Sequence, residues 1–366
     1  MNLAFLVSCQ KPTKSPEAYE TNPSLTDADL GQLLMVGFRG QEIDSVSALV
    51  KEQLRSGEIG HTILFDFDYV NKVFDRNIVS VAQVQQYLRD IQALAPAPMF
   101  KAIDQEGGRV LRLKPDYGYA TLPSAQYLGE LNDVDSTRFY GKVNAQQLQN
   151  SGFNVNFAPV VDLNVNPENP VIGGIERSFG ATTEQVVQHA AAWIQPHADA
   201  GVLSVLKHFP GHGSSQADSH KGIADVTASW TEEELRPFKL LLDSVSLTAV
   251  MTAHVFNRSI DSIYPATLSP HYIKSMLRED ISYEGIVFSD DMHMKAVSAE
   301  FGFKTAIRQA ILAGVDVLVF GNNLEYDESV ARTTIATLRE LLAEGAITEA
   351  RLRQSIERVR TTLQKM

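Results

Sequence analysis

The chain has 366 residues, of which 44% are hydrophobic and 21% are charged, so it can bury a large core and lacks the composition of a disordered protein. Its 44 acidic and 32 basic residues give a formal net charge of −12 without any cluster of lysine and arginine, which disfavours nucleic acid as a partner. No apolar run reaches the roughly 18 to 20 residues that are needed to cross a bilayer.

Residues 1–25 resemble a bacterial lipoprotein leader followed by a polar tether. The single cysteine, Cys9, directly follows Leu6, Val7 and Ser8, as in a lipobox. In a lipoprotein the chain is cleaved before this cysteine, which then carries the lipid. The eight residues before Cys9 are too few for a full signal and include no lysine or arginine. Either the start of the signal is truncated, or the resemblance is accidental and Cys9 is a chance cysteine in a frayed terminus. We therefore expect either a periplasm-facing bacterial lipoprotein with membrane anchoring through Cys9, or a cytoplasmic protein.

The folded domain is predicted to begin near residue 26, where residues 24–27 supply capping groups for a first helix that runs towards Phe38. Short apolar segments then alternate with stretches of helical period, and this alternation predicts parallel strands joined by helices. The helices are predicted at 81–94, 136–151, 183–200, 231–244 and 304–313. The apolar segments are residues 35–38, 62–65, 99–103, 155–161, 202–206, 248–253, 285–288 and 315–320.

Eight such segments and no shift in composition favour an α/β fold, a single (β/α)8 barrel over residues 26–366. A doubly wound sheet is the alternative, but no Gly-x-Gly-x-x-Gly sequence follows the first strand. Polar residues follow most of the predicted strands, and a barrel would bring them together at its C-terminal face. They are Asp104, Glu106, Arg109 and Arg112 after the third strand, Asp162 and Arg177 after the fourth, Lys207 and His208 after the fifth, His254 after the sixth, Asp290 and Asp291 after the seventh, and Asn322 and Asn323 after the eighth.

The densest group of reactive side chains lies in residues 207–220, which include three histidines, a lysine and Asp218. Pro210 lacks an N–H group and Gly211 tolerates a positive φ, so the chain is expected to turn just after the apolar segment 202–206. Such a segment is typical of an active-site loop.

A metal site is one interpretation of this segment, since histidine and aspartate are common zinc ligands. The residues that would bind the metal are His208, His212, Asp218 and His220. Histidines four residues apart share a helix face, but Pro210 and Gly211 prevent a helix here. We therefore expect neither a metal nor an organic cofactor.

Three motifs resemble glycoside hydrolase family 3, and in particular its single-domain β-N-acetylglucosaminidases. They are residues 207–213 with 218–220, residues 103–110, and residues 288–292. The resemblance covers the chain from about residue 27 to its end and implies a (β/α)8 catalytic domain. It also implies removal of terminal β-linked N-acetylglucosamine with retention of configuration.

Retaining hydrolysis needs one carboxylate that attacks the sugar and a second group that moves a proton. Adjacent strand residues face opposite sides, so Asp290 and Asp291 cannot both attack, and the family pattern places the nucleophile at Asp290, directly after a serine. Asp291 is expected to cap the following helix. The resemblance implies that His220, oriented by Asp218, is the acid and base, a role that suits the ordinary pKa of imidazole.

The resemblance further implies that several polar residues line the sugar subsite, where carboxylates accept hydroxyl protons and cations donate hydrogen bonds. They are Asp104, Arg112, Arg177, Lys207 and His208. Glu106 and Arg109 are predicted as an ion pair under the barrel mouth. His254 is expected either to border the pocket or to be a satisfied core histidine, and His212 is expected to shape its own loop.

The expected partner is thus a carbohydrate with terminal β-N-acetylglucosamine, from cell-wall muropeptides or from chitin-type oligosaccharides, and the expected oligomeric state is a monomer. A β-glucosidase of the same family is one alternative. A phosphorylase of the family is another, because a neutral histidine does not repel phosphate. A metal-dependent barrel hydrolase or a non-catalytic sugar-binding lipoprotein belongs to a different class. Residues 66–69, 114–121 and 292–294 depart from the family pattern and leave the leaving-group preference open.

Overall fold

The computed structural model describes residues 24–218, 222 and 224–366, so Cys9 lies outside the described residues. Its centre is a ring of short parallel strands in chain order. They are β1 (Leu34–Val36), β2 (His61–Ile63), β3 (Lys101–Ile103), β4 (Val155–Asn156), β5 (Leu203–Phe209), β6 (Thr248–Thr252), β7 (Val287–Phe288) and β8 (Leu318–Phe320). The hydrogen-bonded order is β7-β6-β5-β4-β3-β2-β1-β8, and a parallel bridge between Phe288 and Val317 closes the ring into a barrel.

Helices connect the strands on the outside of the barrel, as right-handed parallel connections require. They are α1 (Asp27–Gly31), α2 (Ala48–Ser56), α3 (Val81–Leu94), α4 (Ala125–Leu131), α5 (Val134–Ser151), α6 (Thr183–Asp199), α7 (Arg236–Ser244), α8 (Lys295–Phe301), α9 (Phe303–Ala313), α10 (Val330–Ala343) and α11 (Glu349–Lys365). Within the described part of the chain, none of the helices has the length and apolar character of a membrane span.

Shorter elements complete the loops. Strand Gln105–Gly107 pairs antiparallel with Val110–Leu111, and Ala224–Asp225 pairs parallel with Val255–Phe256. A π-type helix spans His271–Asp280. Turns of 3-10 helix lie at Ile43–Ser45, Pro115–Tyr117, Gly173–Ile175, Glu232–Leu235 and Ala266–Leu268.

Alternate residues of each strand face the barrel interior and the surrounding helices. In β1, Met35 belongs to the interior cluster, whereas Leu34 and Val36 pack against the helices. In β8 the interior residue is Val319, and Leu318 packs outwards. Because both faces of every strand are buried, the strands appear in the sequence as continuous apolar segments, and the predicted (β/α)8 barrel is confirmed.

Two sequence-based boundaries were wrong. The fifth strand does not end at residue 206 but continues to Phe209, so Lys207 and His208 belong to the strand itself. The first helix stops at Gly31 and does not run towards Phe38, because residues 34–36 form β1. The start of that helix was predicted correctly: Thr26 accepts a hydrogen bond from the N–H of Asp29 at 3.1 Å and forms a capping box with it.

The barrel interior provides a test of this packing. Phe100 is fully buried there and contacts the ring of Phe288, with the centroids 6.0 Å apart. Replacing Phe100 with alanine leaves a cavity, and we expect it to lower the free energy of unfolding by about 3 to 5 kcal/mol. Denaturant unfolding measures this loss, with Phe139→Ala as the control, because Phe139 is 61% exposed. Equal losses in the two variants would contradict the assignment of Phe100 to the core.

Candidate active site

The side chains at the C-terminal ends of the strands meet at one mouth of the barrel, and β5 contributes the central pair. Its last residues are Lys207, His208 and Phe209, after which Pro210 and Gly211 turn the chain, with φ at Gly211 of 122°. The Lys207–His208 and Phe209–Pro210 peptide bonds are both cis. The predicted positive φ at Gly211 is confirmed, and it is a conformation that glycine adopts without strain.

Glu106 is the centre of a buried ion network. Its two carboxylate oxygens accept hydrogen bonds from the guanidinium of Arg177 at 2.8 Å each. The ammonium of Lys207, 2% exposed, lies 2.7 Å from Glu106 and 2.7 Å from Asp104. Burial raises the pKa of Glu106, but the charges and hydrogen bonds of Arg177 and Lys207 outweigh it and bring the pKa far below its usual value. The predicted pairing of Glu106 with Arg109 is therefore wrong, since Arg109 is exposed.

His208 joins this network through Arg177 and is held by Asp162. Its Nδ1 lies 2.7 Å from Asp162 Oδ2, and its backbone N–H donates to the same carboxylate. On the other side, His208 Nε2 lies 3.3 Å from Arg177 Nη2. Burial raises the pKa of Asp162, but His208 more than offsets it, so the carboxyl pKa is below its ordinary value. Asp162 thus fixes the orientation of the imidazole, as carboxylates commonly do for functional histidines.

Asp104 and Arg112 lie at the edges of the same mouth. One oxygen of Asp104 binds Lys207 Nζ, and its side chain is 19% exposed, so a carboxylate edge faces the solvent-accessible side. Arg112 is half-buried, with its guanidinium carbon 5.9 Å from the centroid of the Phe65 ring. Among the described residues its Nε has no hydrogen-bond partner. Leaving a buried donor of this kind without an acceptor costs free energy.

Asp290 and Asp291 follow β7, where they differ in their hydrogen bonds. Ser289 Oγ accepts from the N–H of Val319 at 2.9 Å and fixes this strand end against β8. Asp290 is half-buried, and its Oδ1 accepts from the N–H of Asp291 at 2.8 Å. Asp291 Oδ1 accepts from the N–H of His293 at 3.0 Å and caps the turn before α8. Burial, with the charge of Asp290, raises the pKa of Asp291.

His254 and His212 are buried beside the site and contact its backbone and side chains. His254 is buried, with its ring nitrogens 2.8 Å from Thr267 Oγ1 and 3.0 Å from the carbonyl oxygen of Asp291. It is thus a satisfied core histidine, one of the two predicted outcomes. The N–H of His212 donates to Asp162 at 2.9 Å. Burial, together with the charge of His208, lowers the pKa of His212 to about 4, and the nearby carboxylates of Asp162 and Asp290 offset part of this shift.

The structure therefore brings together Asp104, Arg177, Lys207 and His208, with Asp290 and Arg112 at the same mouth. Asp218 is half-buried at the far end of the loop that begins at Pro210. His220, the predicted acid and base, lies outside the described residues. In residues 24–218, 222 and 224–366, no three histidine, cysteine, aspartate or glutamate side chains are grouped as metal ligands.

Glu234 is a buried residue of the site that the sequence did not reveal. It lies in the 3-10 turn before α7, is fully buried, and its Oε2 accepts from the N–H of Ser214 at 3.1 Å. A side chain at Gly211 would collide with it, because an added Cβ would lie 2.6 Å from Glu234 Cβ. Burial, assisted by the charge of Asp162, raises the pKa of Glu234 to about 7, although hydrogen bonds from Ser214 lower it in part.

Comparisons with known proteins agree with this geometry. Residues 25–362 match the family model of the glycosyl hydrolase family 3 N terminal domain. The chain is 34% identical over 295 residues to a beta-hexosaminidase of Tolumonas auensis, covering 79% of this chain and 83% of that protein. It is 31% identical over 364 residues to beta-hexosaminidase LpqI of Mycobacterium tuberculosis, covering 97% and 85%. A solved family 3 beta-N-acetylglucosaminidase from Paenibacillus sp. has a TM-score of 0.84 and 32% identity over 93% of this chain, which spans 63% of that protein.

The raised pKa of Glu234 predicts a pH dependence of stability. The folded protein holds this proton between about 4.5 and 7, where the unfolded chain has released it, so stability falls as pH rises through that window. Between pH 5 and 8 we expect the free energy of unfolding of the wild type to fall by about 2 kcal/mol more than that of Glu234→Gln. Urea titrations at the two pH values measure the difference.

The matched control for this measurement is Glu232→Gln, because Glu232 is an exposed glutamate two residues earlier in the same turn. This variant should follow the wild type at both pH values. A Glu234→Gln variant that loses as much stability as the wild type would show that Glu234 is ionised throughout the window.

Proposed function

Because this chain belongs to glycoside hydrolase family 3, we propose that it is a retaining, exo-acting β-N-acetylglucosaminidase that works as a monomer. Its proposed substrates are cell-wall muropeptides or chitin-type oligosaccharides that end in β-linked N-acetylglucosamine. The observation that carries this proposal is the continuous network from Asp104 through Lys207, Glu106 and Arg177 to His208 at the barrel mouth that also holds Asp290.

In the first step, Asp290 is the nucleophile. Its carboxylate attacks the anomeric carbon of the terminal sugar while the bond to the leaving-group oxygen breaks, which gives a covalent glycosyl ester. The N–H of Asp291 donates a hydrogen bond to Oδ1 of Asp290 and so helps to hold the carboxylate in place. The raised pKa of Asp291 suits a supporting role, because a second full charge beside the nucleophile would be costly.

Proton transfer is assigned to His220, with Asp218 as its orienting partner. His220 gives a proton to the departing oxygen and later takes one from the water that opens the ester. This role rests on the sequence motif and on the position of Asp218 at the end of the loop after β5. An imidazole matches the task, because its ordinary pKa lies near neutral pH.

The buried network holds the sugar. Lys207 and Arg177 are committed to Glu106, so their positions are fixed before the substrate arrives, and a fixed site loses little free energy to reorganisation on binding. Asp104 presents its exposed edge to the sugar hydroxyls, and the guanidinium of the half-buried Arg112 is suited to donate to an oxygen of the substrate.

Hydrolysis of 4-nitrophenyl β-N-acetylglucosaminide tests this mechanism. The wild type should release nitrophenol and keep its activity in EDTA, and Asp290→Ala should lose about a thousandfold or more of kcat. We expect His220→Ala to lose about a hundredfold or more. Asp135→Ala, which removes a carboxylate that is 94% exposed, should match the wild type.

Product analysis distinguishes the alternatives. Loss of activity in EDTA would favour the metal-dependent hydrolase, and absence of turnover with retained sugar binding would favour the sugar-binding protein. Faster cleavage of the β-glucoside would indicate a β-glucosidase. A sugar 1-phosphate formed in phosphate buffer would make the enzyme a phosphorylase, and we expect free N-acetylglucosamine instead.

We also propose that Cys9 carries a lipid and anchors the enzyme to the periplasmic face of a bacterial membrane, on the strength of its lipobox-like sequence. Protein expressed in bacteria from its native gene should then fractionate with membranes and incorporate labelled palmitate, and Cys9→Ser should do neither, because lipidation requires the thiol. Soluble, unlabelled wild type would contradict the anchor and leave the enzyme in the cytoplasm.

A further inference from the structure

The loop after β2, residues 66–76, exposes several apolar side chains together. Tyr69 and Val70 are each 47% exposed, Val73 is 41% exposed, and Phe74 is 61% exposed. The ring of Phe67 lies beneath them, with its centroid 5.0 Å from Tyr69 and 4.6 Å from Phe74. We call Phe67, Tyr69, Val70, Val73 and Phe74 the aromatic rim. Clustered apolar groups of this kind commonly mark a binding surface.

The loop that carries the aromatic rim is held in one conformation. Asp68, 2% exposed, accepts two hydrogen bonds from the guanidinium of Arg39, and its backbone pairs with Val73. Asn323, which follows β8, accepts from the N–H of Tyr69 at 3.0 Å and donates to the carbonyl of Phe67 at 3.0 Å. The exposed rings are thus presented by a fixed backbone, and a ligand pays little entropy to order them.

The loop that carries the aromatic rim begins beside the active site. Phe65, at the start of the loop, packs against the α-carbon of Gly321, where an added Cβ would lie 3.4 Å from the Phe65 ring. The same Cβ would lie 2.6 Å from the carboxylate of Asp291, next to the proposed nucleophile. The centre of the Phe65 ring also lies 5.9 Å from the guanidinium carbon of Arg112. The loop that carries the aromatic rim therefore starts at the edge of the proposed sugar subsite.

Charged side chains flank the aromatic rim. Lys114 pairs with the buried carboxylate of Asp66 and lies 4.1 Å above the centre of the Phe74 ring. Arg39 pairs with Asp68 at 2.7 Å. The rim therefore combines flat apolar rings with flanking hydrogen-bond donors, among them Lys72, whose ammonium lies 5.0 Å from the centre of the Tyr69 ring. This combination suits a hydroxyl-rich saccharide ring better than a lipid headgroup or a charged peptide.

We propose that the aromatic rim binds the leaving-group saccharide, with the apolar face of a β-linked hexosamine ring stacked on Phe74 or Tyr69. The axial C–H groups of such a ring form a flat, weakly positive surface, which the negative face of an aromatic ring attracts. The inference rests on the proposed glycosidase function and deepens it. It makes the enzyme selective for oligosaccharides over simple glycosides, whether the second ring comes from chitin or from a muropeptide.

The test compares substrates with and without further sugar rings. The double variant carries both Tyr69→Ala and Phe74→Ala. The substrates are methyl β-N-acetylglucosaminide, triacetylchitotriose and N-acetylglucosaminyl-anhydromuramic acid. If the aromatic rim binds the second sugar ring, the kcat/KM of the double variant should fall about tenfold on triacetylchitotriose, on N-acetylglucosaminyl-anhydromuramic acid, or on both. It should keep the wild-type value on the methyl glycoside. The control, Phe139→Ala, removes an equally exposed ring on α5 and should change neither.

Failure of this inference is distinct from failure of the proposed function. Equal losses on all three substrates, or no loss on either saccharide, would overturn the aromatic rim as a leaving-group site. If the wild type hydrolyses none of them, the proposed function fails, and calorimetric titration of the trisaccharide into wild type and double variant still tests the rim. Equal affinity of the wild type and the double variant for the trisaccharide would overturn the aromatic rim as a saccharide site. So would a double variant that keeps this affinity and loses only the binding of lipid vesicles or of a protein.

Discussion

The buried carboxylate of Glu106, held between the ammonium of Lys207 and the guanidinium of Arg177, is the interaction on which the whole site depends. Removing any one partner would leave an uncompensated charge in a buried place, a far larger loss than that of an exposed ion pair. Glu106 follows β3, Arg177 lies in the loop after β4, and Lys207 lies near the end of β5, so their pairing fixes the neighbouring side chains as well. Lys207 then positions Asp104, and Arg177 positions His208 against Asp162.

Much of the fold follows from the sequence, because a barrel strand is buried on both faces and stands out as an apolar segment between helical periods. The helix at Val81–Leu94 was predicted to the residue. The end of β5 was not, because lysine and histidine are typical of loops. Their burial in a strand depends on Asp104, Glu106 and Asp162, and these partners are up to 103 positions away in the chain.

Part of the site was predictable from the same pattern of buried strands. Polar residues at the ends of successive strands must converge in a barrel, so Asp104, Lys207 and Asp290 could be placed at one barrel mouth without knowing their contacts. The partners of Glu106 were not found, because spacing favoured nearby Arg109. Glu234 stands beside two other glutamates in a helical period and resembles a surface residue. Its burial becomes visible only in three dimensions, where Gly211 leaves room for it.

The loop after β2 and the buried ion network at the barrel mouth are stabilised in different ways. The conformation of the loop depends on contacts within it and on a few anchors, such as Arg39 and Asn323, whereas the ion network depends on charges shared among several strands. Natural variation can therefore exchange this loop as a unit while the chemistry below it stays unchanged. Related enzymes can therefore differ at this loop in the leaving groups that they accept. The same loop is a suitable place for protein engineers to introduce a new substrate preference.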